Sequence, residues 1–201
     1  MHKLLFKIGG IALLSLWSCQ PEEMKLERQL QATPYFDLKG VIEEQIALLD
    51  RLNPEVVVTA RIDDSTETKT IQKDSSAWAE ALKLYSDADL NKPVLRDQYI
   101  VQDSILQEQN LQAKIYYAKN KEEVEIPYMK VIFKDTTTNL HSVEAIFREE
   151  NPLYTTYRNM ALHFENTEGN LRLVQYETKG TQKMIFKDSV VYATTGILKY
   201  Y

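Results

Sequence analysis

Three hydrophobic patterns follow one another along the 201-residue chain. The first is continuous. Ile8 to Trp17 carries no charge, follows Lys3 and Lys7, and ends at Leu16-Trp17-Ser18-Cys19. A basic start, a short apolar run and a small residue before the break form the pattern of an export signal. The run falls well short of the roughly 20 apolar residues that cross a bilayer, so no permanent membrane-spanning helix is expected there. The second pattern has helical spacing. Leu38, Ile42, Ile46 and Leu49 recur every three or four residues, Val41, Leu48 and Leu52 widen the stripe, and Glu43, Glu44 and Asp50 lie opposite. This predicts a core-packing helix that begins near Pro34 to Asp37 and stops at Asn53-Pro54, since the residue before a proline avoids helical geometry. Trp78, Ala81, Leu82 and Tyr85 repeat the spacing in a shorter helix capped by Asp74 or Ser75.

The third pattern alternates. Val56, Val58, Ala60 and Ile62 interleave with Val57, Thr59 and Arg61, and Asp63-Asp64-Ser65 turns the chain back into Thr66 to Gln72. From Asp97 onward the alternation predicts eight strands: Tyr99–Gln107, Leu111–Ala118, Pro127–Lys134, Leu140–Arg148, Tyr154–Phe164, Leu171–Lys179, Thr181–Phe186 and Val190–Leu198. Short polar turns separate them, so each strand should pair antiparallel with its sequence neighbour. Within Leu111–Ala118 the face of Leu111, Ala113, Ile115 and Tyr117 should be buried, with Gln112 and Lys114 wet. The expected fold class is α+β: an N-terminal helix, a hairpin, a second helix, then a long antiparallel β-meander forming a curved sheet or incomplete barrel.

Composition changes this picture mainly at the N-terminus. Residues 1–18 read as the signal peptide, 19–33 as a flexible linker and 34–201 as a single folded domain. Gln20-Pro21-Glu22-Glu23 opens the linker, which spans roughly 45 Å when extended. The whole chain has 24 Lys and Arg against 29 Asp and Glu, and loss of Lys3 and Lys7 leaves 22 against 29, a net charge near −7. So acidic a chain is a poor match for nucleic acid or anionic lipid, both of which call for a basic patch. Cys19 is the single cysteine, which rules out an intrachain disulfide, a cysteine-based metal cluster and a Cys–His nucleophile.

Leu16, Ser18 and Cys19, at −3, −1 and +1, resemble the lipobox of bacterial lipoproteins. The resemblance implies that the Cys19 thiol receives a diacylglycerol, that the signal is cut before it, and that the new amino terminus is acylated, palmitate being one such chain. Membrane attachment would then run through acyl chains on Cys19, placing the protein at the outer membrane on its periplasmic or surface face. Glu22-Glu23 resembles the surface-export signal of some Gram-negative lipoproteins. The element order is similar to that of periplasmic lipoprotein carriers and receptors, in which a half-barrel under a helical lid holds acyl chains. Tyr35-Phe36-Asp37-Leu38-Lys39-Gly40 resembles the domain opening of outer-membrane lipoproteins that bring no known activity with them.

Candidate chemistry is sparse. The chain has no Gly-x-Ser-x-Gly elbow, no His-x-x-x-His pair and no phosphate-cradling glycine loop. His141 and His163 are the histidines after the signal; alternation puts His163 on the face of Thr155, Tyr157, Asn159 and Ala161, away from Met160, Leu162 and Phe164, and both read as ordinary strand residues. Asp63-Asp64, Asp87/Asp89 and Glu149-Glu150 fall in expected turns, where carboxylates are usually solvated. The calcium-like run Asp87 to Asn91 lacks the glycine and late glutamate of an EF-hand. Tyrosine is abundant, and Tyr116 and Tyr157 fall on the more polar faces of their strands, which makes them the candidate ligand-binding residues. No cofactor, no metal and no catalytic residue is expected. The leading expectation is a non-catalytic, lipid-anchored binding or envelope-assembly module whose partners are envelope proteins or a hydrophobic ligand. A carrier or sensor of hydrophobic ligands is the alternative, and a hydrolase with a carboxylate site the third.

Overall fold

The computed structural model describes residues 35–106, 110–135 and 139–201. The expected signal, the linker and Cys19 lie outside the described residues. The first helix, α1 (Leu38–Leu52), begins where the Asp37 carboxylate accepts from Gly40 N–H. It ends where Asn53 takes the left-handed conformation ahead of Pro54. The hairpin β1 (Glu55–Ile62) and β2 (Ser65–Ile71) follows, then α2 (Ser75–Asp87), capped by the Asp74 carboxylate on Ala77 N–H. The remaining strands are β3 (Tyr99–Leu106), β4 (Leu111–Ala118), β5 (Tyr128–Lys134), β6 (Leu140–Glu150), β7 (Tyr154–Thr167), β8 (Asn170–Met184) and β9 (Val190–Lys199).

The nine strands among the described residues form one curved, open antiparallel sheet in the order β2-β1-β9-β8-β7-β6-β5-β4-β3. Two features differ from the sequence reading. First, Leu171–Lys179 and Thr181–Phe186 are not separate strands, because β8 runs through Gly180 without a turn. Gly180 faces Tyr192 across the ladder, and a Cβ there would lie 2.7 Å from the Tyr192 hydroxyl oxygen. The glycine makes room for a ring instead of bending the chain. Second, the β1–β2 hairpin does not stand apart from the meander. Glu55 to Ile62 pairs with Lys199 to Tyr192, so the last strand closes on the first. Alternation within a segment says nothing about which distant edge will receive it.

Both helices pack on one face of the sheet. Leu38, Ile42 and Leu49 of α1 and Trp78, Leu82 and Tyr85 of α2 share a core with Met129, Val143, Met160, Leu162, Phe164, Leu173, Tyr176 and Leu198. Each large apolar side chain buried in this way contributes about 1.5–3 kcal/mol. Gln45 sits in the middle of the buried stripe, while Ile46 is only partly covered. Its amide has a specific task. Nε2 donates to Leu171 O at 3.0 Å and Oε1 accepts from Leu173 N at 2.8 Å. These bonds fall beside the bulge where the β7–β8 register shifts between His163 and Phe164. Leu171 and Leu173 also lie beyond the last β8–β9 pair, Gln175 with Ile197, so the side chain bonds a stretch of β8 that β9 does not pair.

Candidate functional site

Strand alternation turns the other half of the sheet's side chains away from α1 and α2. On β7 this second face carries Tyr157, Asn159, Ala161 and His163, while Met160, Leu162 and Phe164 point into the core. The ladder sets Ala161 directly between Glu144 of β6 and Glu177 of β8. One row along, Asn159 lies between Ile146 and Lys179, with Tyr128 beyond Ile146. A methyl group amid longer neighbours makes a depression. These residues line a groove of about 350 Å³ together with His163.

The walls of the groove are two ion pairs. Glu144 lies 3.9 Å from Lys130, and Glu177 lies 3.2 Å from Lys179. Both contacts are partly exposed, so each contributes at most about 1 kcal/mol to folding. Their relevance is geometric: Glu144 and Glu177 stand on strands two apart, about 9.5 Å between backbones. The floor between them offers the Asn159 amide and the His163 ring, and Tyr128 and Ile146 add an apolar rim. Donors and acceptors of both kinds around a small floor can hold a polar ligand in one orientation. Each glutamate has a lysine beside it, so the charges around the floor are balanced.

Of the two candidate tyrosines, Tyr157 is 45% exposed and lies on the groove face. The Arg148 guanidinium sits 5.9 Å from its ring centroid and is itself paired with Glu122 and Glu150. Tyr116 does not meet the expectation of an exposed residue: it is 1% exposed and belongs to the core. Its ring meets Tyr35 edge-on at 5.8 Å, and its hydroxyl accepts from Phe36 N–H at 3.1 Å. Burial pushes the hydroxyl pKa up to about 12. The reason is long-range. The chain at Tyr35-Phe36 lies over β4, so Tyr116 and Ala118 join the main core while Leu111, Ala113 and Ile115 form a small cluster with Ile132.

Most of the carboxylates considered from the sequence have structural partners. Asp89 is 7% exposed and accepts from Leu38 N, Lys39 N, Asn91 N and Asn91 Nδ2, which fixes the start of α1. Asp87 pairs with Lys83, Asp63 accepts from Val191 N, and Glu149 accepts from the Tyr154 hydroxyl. His141 borders a separate recess near Glu165 and Asn166. The space beneath the helices is filled by Trp78, Leu162, Phe164 and Tyr176.

No protein-family model matches the chain, and no curated protein matches it. The groove was only half legible in the sequence. Alternation placed His163 with Tyr157, Asn159 and Ala161, but Glu144 and Glu177 come from other strands and no local pattern marks them.

Proposed function

We propose that this chain is a lipid-anchored, non-catalytic binding module of the bacterial cell envelope that engages an envelope protein or polar ligand through the groove centred on Ala161. The observation that carries the reading is the groove itself, about 350 Å³ on the sheet face turned away from both helices. Trp78, Leu162, Phe164 and Tyr176 pack between the helices and the sheet, which favours this over a carrier that holds an acyl chain between them. The sheet reads as an incomplete barrel, curved but with β2 and β3 as open edges. The anchor rests on the lipobox-like Leu16 to Cys19 and the linker after it.

Two experiments test the two halves. Cys19→Ser should move the protein from the membrane fraction to the soluble fraction, and unchanged membrane fractionation would sink the anchor. Ala161→Arg fills the groove from its floor. Pull-down from solubilised envelopes should recover a partner with the wild-type chain and lose it with this variant. Recovery of the same partner by both would place the binding surface elsewhere.

A further inference from the structure

A second pocket, of about 290 Å³, opens on the helix side where α2 leaves β7, β8 and β9 uncovered. Its floor is an arrangement of small residues and flat rings. Tyr176 on β8 lies across Gly196 on β9, and Tyr192 on β9 lies across Gly180 on β8, with Thr178 opposite Thr194 between them. A Cβ at Gly196 would run into the Tyr176 ring, so the glycine is what lets that ring lie down. The Tyr85 hydroxyl pairs with Thr178 Oγ1 at 2.9 Å, closing the wall next to α2.

Arg158 is the one cation among the described residues lining this pocket, and no acidic residue lines it. The guanidinium is held from two sides. It stacks over Phe147, with 4.8 Å from its carbon to the ring centroid, and its Nε donates to the Tyr192 hydroxyl at 2.7 Å. Glu149 shares this face of the neighbouring strand, but it accepts from the Tyr154 hydroxyl, and among the described residues no carboxylate pairs with Arg158. An arginine fixed by stacking, with its Nε taken, presents the remaining Nη donors as a fork that matches a carboxylate. Among the described residues no carboxylate lines the pocket itself, although the Glu149 carboxylate stands close by. The geometry points to a binding site for a small carboxylate with an apolar or aromatic body. The carboxylate meets the Arg158 fork and the body lies against Tyr85 and Tyr176. A single cation matches a monoanion, whereas a phosphate dianion would leave one charge uncompensated. The small volume limits the body to about one ring.

The test is an NMR titration of the full chain with 3-phenylpropanoate, its neutral amide and phenyl phosphate, read at the Gly180 and Gly196 amides and at Arg158 Nε–H. The carboxylate should give saturable shifts and bind at least tenfold more tightly than the amide. That comparison needs no variant. Arg158→Lys keeps the charge and loses the fork, and should weaken carboxylate binding about tenfold. Tyr192→Phe, which keeps the ring and removes only the hydroxyl that accepts from Nε, should weaken it severalfold. Equal binding of acid and amide, tighter binding of phenyl phosphate, an unchanged affinity in a folded Arg158→Lys protein, or no saturable shift with any probe would each overturn the assignment.

Discussion

Single residues join parts of this molecule that lie far apart in sequence. Gln45 spends both ends of its amide on Leu171 and Leu173, at the point where the β7–β8 ladder is interrupted. Gln45→Leu keeps the volume and leaves a buried N–H and C=O unpaired, each worth about 1–3 kcal/mol. The expected loss is about 2–4 kcal/mol in urea unfolding, and a loss near zero would show that other groups replace the amide. Gly196 poses a steric problem instead. Gly196→Ala drives a methyl into Tyr176, whose ring is also packed edge-on against Trp78 and Tyr85. About 1–3 kcal/mol of destabilisation is expected by the same measurement. Adding Tyr176→Leu should recover part of it, because the smaller side chain leaves the methyl space.

At the scale of elements, α1 is held at its start by two carboxylates with unequal roles. Asp37 caps locally, through Gly40 N–H. Asp89 reaches from the segment after α2 to the N–H groups of Leu38 and Lys39 and also orders Asn91, whose own amide contacts Tyr35 and Phe36. Asp89→Ala should therefore cost more than Asp37→Ala, about 2–3 against about 1 kcal/mol, in matched unfolding curves. Equal losses would reduce Asp89 to a simple cap. The strands differ as well. β8 is flanked by β7 and β9, whereas β2 pairs with β1 alone and every one of its side chains is exposed. Amide exchange should be fastest in β2 and slowest at the centre of β7 and β8, as few covered contacts mean cheap local opening.

Across the whole molecule, the tyrosines that gave the chain its compositional lean are mainly structural. Burial raises the hydroxyl pKa of Tyr85, Tyr99, Tyr116, Tyr176 and Tyr200 above the ordinary value, to about 12 for Tyr116 and Tyr200. A folded-state pKa above the unfolded one means the native state holds its proton longer as pH rises. The associated stability is complete below about pH 10 and lost as pH climbs through the folded values. Denaturant midpoints should be level from about pH 8 to 9.5 and fall between about pH 10 and 12. A level profile across that upper interval would show these hydroxyls reaching solvent. Tyr116→Phe should flatten part of the fall, at the expense of the bond from Phe36 N–H.

What the sequence determined by itself is what depends on near neighbours. Helical spacing marked the two amphipathic helices, with a start near Pro34 to Asp37 for the first and a cap at Asp74 or Ser75 for the second, and the structure chose Asp37 and Asp74. Alternation marked the strands, and it put His163 and Tyr157 on the side of β7 away from Met160 and Leu162. The lipobox-like Leu16 to Cys19 supplies the proposed address. Pairing at a distance was decided by the tertiary structure. The return of β9 to β1 depends on an edge 130 to 144 residues away. The passage of β8 through Gly180 depends on a tyrosine of the next strand. Tyr116 is buried because Tyr35 and Phe36 lie over it, although its own strand marked it as polar-facing. Both recesses, the groove at Ala161 and the pocket at Arg158, join residues from at least three strands. Ladder register brings those residues together, and register is fixed only when the whole sheet closes on its core.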